Sequence, residues 1–212
     1  VPSMFVCGRG QKRDWPFAPE WCLPTPCPNG LSWHPSSENL DECPASVGLK
    51  KSWWKVWQFI WERIVIWKAN KFKKHNLFAV DIANTGTDVT SLPEFQQADV
   101  IHLHWINQGM LSLKDIERIL NSGKPVVWTM HDMWPCTAIC HHARECDKYQ
   151  EECKCCPYLL HGGHEKDLSN KIFHLKKEIY KIAPITFITC SKWLKGRAIP
   201  SKLLEGHTII DI

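Results

Sequence analysis

What most constrains this chain is an alternation in its second half. Short apolar runs of strand length are separated by segments whose apolar residues return every three or four positions. The runs are DVIHLHW (99–105), VVWTM (126–130) and ITFITC (185–190). Between the first two, residues 112–121 set Leu113, Ile116, Ile119 and Leu120 on one helical face, and Gly123 followed by Pro125 ends that helix. Residues 168–182 read as another amphipathic helix, and Ser191 as the N-cap of one more. Residues 93–97 read as a short helical turn and 78–82 as a possible strand. Strands joined through helices lie parallel, because a parallel neighbour is reached only by a crossover. The expectation is an α/β fold, a Rossmann-like parallel sheet flanked by helices, over residues 77–212, with a cysteine-rich loop at 136–156.

Residues 1–76 obey no such rule. MFVC (4–7) reads as a strand fragment, and because Val1 is not a Met the chain is expected to enter its fold part-way, with a truncated start. Residues 8–48 carry seven prolines (Pro16, Pro19, Pro24, Pro26, Pro28, Pro35 and Pro44) and no period, which predicts a long irregular insertion. Residues 51–74 then read as a helix, with Trp53, Trp57, Ile60, Trp61 and Ile64 on one face and Trp67 or Lys68 continuing it. From 50 to 74 eight basic residues (Lys50, Lys51, Lys55, Arg63, Lys68, Lys71, Lys73 and Lys74) stand against one acid, Glu62. Two readings follow: burial inside the domain, or residues 53–74 lying in the interface of an anionic membrane, tryptophans at headgroup level.

Composition narrows the function classes. The formal net charge is +4, with 26 basic and 22 acidic residues mixed along the chain, which argues against nucleic acid as a partner. No apolar run reaches the roughly 18 residues of a membrane span. The 11 cysteines are an odd number, six of them crowded between Cys136 and Cys156, and no signal peptide precedes them. That pattern favours a reducing, cytoplasmic setting, with the cluster either holding a metal or simply reduced.

In a parallel sheet, chemistry gathers at the carboxyl ends of the strands, which singles out three places. After 99–105, His102 and His104 fall on one face, where they could bind a metal or only hydrogen-bond within the core, and His104 with the polar loop of Asn107, Gln108 and Gly109 suits sugar or phosphate recognition. After 126–130 comes His131-Asp132, an imidazole followed by an acid that could orient it for acceptor positioning or proton transfer. After 185–190, Ser191 starts a helix whose free N–H groups could face a diphosphate, or serves only as a cap.

Together ADVIHLHWINQGMLSL (98–113), KPVVWTMHDMWP (124–135), CHHARECDKYQEECKCCPYL (140–159) and TFITCSKWL (186–194) resemble the N-terminal domain of bacterial family 4 glycosyltransferases of exopolysaccharide and lipopolysaccharide assembly. The likeness spans roughly residues 92–207, with an echo in PSMFV (2–6). It implies one half of a GT-B enzyme: a nucleotide-sugar donor, retention of configuration, no obligatory metal in transfer, and a polysaccharide or lipid-linked acceptor at the inner face of the cell membrane. His131 corresponds to the family's histidine facing the donor sugar and acceptor, and Asp132 follows it in the motif. The family's opening Gly-rich loop and its nucleotide-holding C-terminal domain have no counterpart here, and HTIID (207–211) stands where a linker is expected. The resemblance therefore implies an acceptor-side domain inactive by itself.

Cysteine spacing between 136 and 156 is C-x3-C-x5-C-x6-C-x-C-C. Cys140, Cys146, Cys153 and Cys156 make two pairs that could close a tetrahedral Zn(II) site, with His141 and His142 as alternative ligands. The same four match cysteines in the resembling family's loop, whereas Cys136 and Cys155 do not. Structural zinc, reduced thiols and disulfides all remain compatible with the spacing. The competing functional class is a non-catalytic, zinc-stapled domain or partner-binding remnant.

Overall fold

The computed structural model describes residues 4–7 and 53–212. The irregular insertion expected at 8–48, and Lys50 and Lys51, lie outside the described residues. One sheet runs in the order β1 (Met4–Cys7), β2 (Val100–Leu103), β3 (Val126–Met130), β4 (Ile185–Thr189), β5 (Thr208–Asp211). From β2 to β5 every pair is parallel, with Ile101 opposite Val126, Val126 opposite Ile185 and Thr186 opposite Thr208. β1 lies antiparallel on the edge beside β2, Met4 opposite Leu103. A single antiparallel edge strand on a parallel sheet is a common variation, and the four-stranded parallel sheet is the expected Rossmann-like α/β arrangement.

Among the described residues the α-helices are α1 (Trp53–Ala69), α2 (Pro93–Gln97), α3 (Leu113–Asn121), α4 (Leu168–Tyr180) and α5 (Lys192–Ala198). α3 packs against α4, and α5 against β4 and β5. The central strand β3 is buried at every position, which is why it reads as an unbroken apolar run. Its Trp128 ring lies 5.8 Å from Phe187, 6.1 Å from Tyr180 and 6.2 Å from Trp134, tying the sheet to α4 and to the loop after β3. Ser112 starts α3 with a reciprocal cap: its hydroxyl accepts from Asp115 N–H at 3.1 Å, and its own N–H donates to the Asp115 carboxylate at 2.9 Å. That cap leaves no room beside it, since a Cβ on Gly86 would stand 2.1 Å from Ser112 N.

Two stretches differ from the sequence expectation. Residues 78–82 form no strand, only a single antiparallel bridge from Val80 to Cys140. The reason is where their N–H groups go. Asp81 N–H donates to Ile139 O at 2.8 Å within that bridge, but the next two N–H groups, of Ile82 and Ala83, donate to the Glu62 carboxylate at 2.6 and 2.9 Å. A longer ladder needs the donors of Ile82 and Ala83, and Glu62 has taken them. Conversely, HTIID contributes β5, an edge strand whose alternately exposed residues give little apolar signal.

α1 forms but ends at Ala69 and not at Lys74, since Lys71 and Phe72 take positive φ, and its apolar face, expected either inside the domain or at a membrane, is not buried by the described residues. Gln58, Glu62, Ile66 and Asn70, four residues apart, are buried, and three of these four are polar. Trp57 is 62% and Trp61 56% exposed, with Ile60, Ile64 and Trp67 also facing outward. Gln58 Nε2, Glu62 and Asn70 each find a partner, while Gln58 Oε1 is buried with none among the described residues. Gln58 donates to Gly86 O at 2.6 Å, Glu62 accepts the two N–H groups above, Asn70 donates to His75 O at 3.0 Å and accepts from Leu160 N–H at 2.9 Å. Arg63 donates to Leu77 O and Val80 O and pairs with Glu62 at 2.8 Å.

Candidate functional site

β2 and β3 are parallel neighbours, so the residues that follow them meet at one edge. His104 Nδ1 lies 3.1 Å from His131 Nε2, close enough for one imidazole to donate to the other. His102 and His104 share a face as their alternation predicts, with ring centroids 4.3 Å apart, and His102 Nε2 sits 2.8 Å from Thr129 Oγ1. The backbone of His104 is fixed from below, its carbonyl accepting from Trp128 Nε1 at 2.9 Å. Burial, reinforced by the like charges of His102 and His131, pushes the His104 pKa down to about 4. His104 is therefore a neutral imidazole at neutral pH, able to pass one hydrogen bond along the pair. His131 is exposed at the open carboxyl edge of the sheet, outside the apolar core.

Asp132 does not hold His131. One carboxylate oxygen accepts from Trp134 N–H at 2.8 Å and the other is 2.7 Å from His141 Nδ1. The loop after β3 doubles back, with Met133 N–H donating to His141 O at 2.9 Å, and this return brings His141 to the acid. Nothing in the nine-residue separation of Asp132 and His141 signals that contact in the sequence. The same loop is pinned by Lys176 of α4, fully buried, whose ammonium donates to Trp134 O at 2.7 Å and Thr137 O at 3.0 Å. Burial lowers its pKa to about 7.

The polar loop 107–109 is clamped from behind. Gln108 N–H donates to Asp81 Oδ2 at 2.9 Å, while the Gln108 side chain is exposed. Asn107 is buried beside Asp81. Burial works against ionisation of Asp81, but the neighbouring Glu62 and the hydrogen bond from Gln108 N–H outweigh it and hold the carboxyl below its usual range. Gly109 has φ +80°, and a Cβ there would stand 3.0 Å from Gln58 Cβ, so this glycine lets α1 approach the loop. At the end of β4, the Ser191 hydroxyl accepts from Leu194 N–H at 3.2 Å as the cap of α5. His104, His131 and the loop 107–109 thus share one edge, and Ser191 begins the helix that follows β4.

Cys140, Cys146, Cys153 and Cys156 all line one small cavity of about 20 Å³, together with Tyr149 and Tyr158. Burial pushes the thiol of Cys140 up to about 11 and those of Cys153 and Cys156 up to about 12. Among the described residues, no three His, Cys, Asp or Glu side chains stand close enough together to hold a metal ion as they are. The alternative ligands are drawn away: His141 is bound to Asp132, and His142 stacks on Trp193 with centroids 5.2 Å apart.

Comparison with curated proteins gives a relative 33% identical over 89 residues, the Escherichia coli (strain K12) protein named "Putative colanic acid biosynthesis glycosyl transferase WcaC". The match covers 39% of this chain and 22% of that protein. No family profile and no solved structure matches. The chain is thus similar, over part of its length, to a glycosyltransferase. No helix among the described residues is long and apolar enough to cross a membrane.

Proposed function

We propose that this chain is the acceptor-side Rossmann-like domain of a retaining GT-B glycosyltransferase of family 4. It would act with a nucleotide-sugar donor and a polysaccharide or lipid-linked acceptor on the cytoplasmic side of the membrane. The observation that carries the reading is the imidazole pair. A neutral His104 and an exposed His131, joined at 3.1 Å on adjacent parallel strands, offer a donor and an acceptor to sugar hydroxyls at the edge where such sheets bind ligands. The partial likeness to a glycosyltransferase supports the same class. In this reading His131 contacts the reacting sugar, His104 fixes its tautomer, the exposed Gln108 walls the acceptor with buried Asn107 and Gly109 shaping the loop behind it, and Ser191 faces the donor phosphates. Asp132 keeps the loop folded through His141 and Trp134. Titrating UDP-, GDP- and ADP-sugars and short oligosaccharides while following imidazole ring resonances tests this. The His104 and His131 signals should move together, and in an enzyme that also carries the nucleotide-holding domain His131→Ala should lower transfer by about 10²-fold or more. Rings indifferent to every sugar and nucleotide sugar would remove the proposal.

Convergence of four thiols on one cavity supports a further element, a structural Zn(II) held by Cys140, Cys146, Cys153 and Cys156. A cavity near 20 Å³ has room for about one water-sized body, and the thiols would close on it to Zn–S distances of about 2.3 Å. Such an ion would stiffen the loop that brings His141 to Asp132. Protein purified without chelator should contain about one zinc per chain, lost in Cys153→Ser/Cys156→Ser; a metal-free preparation that folds normally would count against it.

A further inference from the structure

α1 presents a problem that the transferase reading does not absorb. At 100° per residue, Trp57, Ile60, Trp61, Ile64 and Trp67 occupy the arc opposite Gln58, Glu62, Ile66 and Asn70. The outward arc is aromatic and aliphatic, and the helix is held to the domain by hydrogen bonds on its other side. The apolar surface continues past the helix end. Phe72, 62% exposed, folds back edge-on against Trp67 at 4.9 Å, and the exposed Phe78 stacks on Phe59 at 6.4 Å. Lys68 lies on the same outward arc, with Lys71, Lys73 and Lys74 exposed in the turn that follows. The only acid between residues 50 and 74, Glu62, is buried on the opposite side.

We propose that this face is a docking surface for an anionic lipid bilayer, with α1 lying parallel to the membrane plane. The occupant follows from charge and side-chain chemistry. A second copy of the same face would bring lysines against lysines with no acid between them, so self-pairing is opposed. Tryptophan suits the depth where an apolar body meets wet headgroups, and lysines at the rim reach lipid phosphates. The face offers no outward polar pattern that would select one protein sequence. It needs an apolar slab bordered by negative charge, which is an anionic membrane surface. The proposal stands whether or not the domain transfers sugar.

Co-sedimentation of the full chain with vesicles of phosphatidylcholine alone, and of phosphatidylcholine mixed with phosphatidylglycerol, tests it. Binding is expected only to the anionic vesicles and should weaken as sodium chloride shortens the Debye length below about 8 Å. Trp57→Ser/Trp61→Ser should lower partitioning about 10-fold or more, and Lys71→Gln/Lys74→Gln about fivefold per lysine, with circular dichroism unchanged. Equal binding to both vesicles, or binding untouched by the tryptophan change, overturns the proposal. So does any of three other results. Self-association abolished by Trp57→Ser/Trp61→Ser would assign the face to a second copy. Polyglutamate bound as tightly as the anionic vesicles would assign it to an acidic chain. No vesicle binding, with both tryptophans shielded from aqueous oxidants, would assign it to the protein's own preceding segment.

Discussion

Helices α3 and α1 belong to the same domain and are attached to it by opposite means. α3 turns Leu113, Ile116, Ile119 and Leu120 inward, and its first turn is closed by the Ser112–Asp115 cap. α1 turns Gln58, Glu62 and Asn70 inward with one apolar residue, Ile66, and leaves Trp57, Trp61 and Trp67 outside. Apolar periodicity is equally legible in both. It fixes which face of a helix is apolar, and it does not fix which face is buried. A polar row can dock a helix when most of its groups meet backbone partners, as Glu62 meets Ile82 and Ala83 N–H. An unpaired buried polar group would cost about 1–3 kcal/mol, so such docking succeeds only when the partners are already in place.

The largest effect should come from Glu62. Glu62→Ala removes an acceptor for two N–H groups and the partner of Arg63, and should destabilise the protein by about 3–5 kcal/mol in denaturant unfolding. Glu62 also sets a pH dependence. Burial, then the neighbouring Asp81 charge, raise its pKa from 4.5 to about 7, so the folded state holds the proton more tightly than the unfolded chain. The stability contributed in this way is complete below about pH 4.5 and is lost as pH rises through about 7. Unfolding free energies measured across that window should slope downward in the native protein, and Glu62→Gln should flatten the slope.

Next in size is the ordinary helix. Ile116 is fully buried, and Ile116→Ala should cost about 2–5 kcal/mol by lost contact and cavity. If that loss were matched by an apolar truncation on the outer arc of α1, the contrast between the two helices would collapse. Trp61→Ser provides the smallest effect and the sharpest check. With the ring 56% exposed, stability should change by no more than about 0.5 kcal/mol despite removal of the largest kind of side chain. A loss of several kcal/mol would show that the outer face is packed after all.

Much of the sheet was legible because its central strands are buried on both faces. VVWTM and ITFIT appear as continuous apolar runs, and the Ser112 and Ser191 caps mark helix starts at the residues where the helices begin. β5 was not legible, because an edge strand with alternately exposed residues is four residues of weak pattern. Residues 78–82 misled for the converse reason: they have a strand's composition, but pairing stops at one bridge because Glu62 takes the next backbone donors. At the candidate site, alternation correctly put His102 and His104 on one face, and strand-end logic pointed to His131. The His104–His131 contact needed the register of two strands, and the transfer of Asp132 to His141 needed the fold of a loop.

By itself the sequence determined the periods: where strands of the parallel sheet run, where helices start, and which side of each helix is apolar. These are local properties, set by side-chain spacing and by caps within a few residues. Tertiary structure alone decided that the polar side of α1 faces the domain, that two imidazoles from different strands share a hydrogen bond, and that four cysteines line one cavity. Each of these depends on groups distant along the chain being carried to within a few ångströms, and no spacing along a single strand or helix encodes that distance.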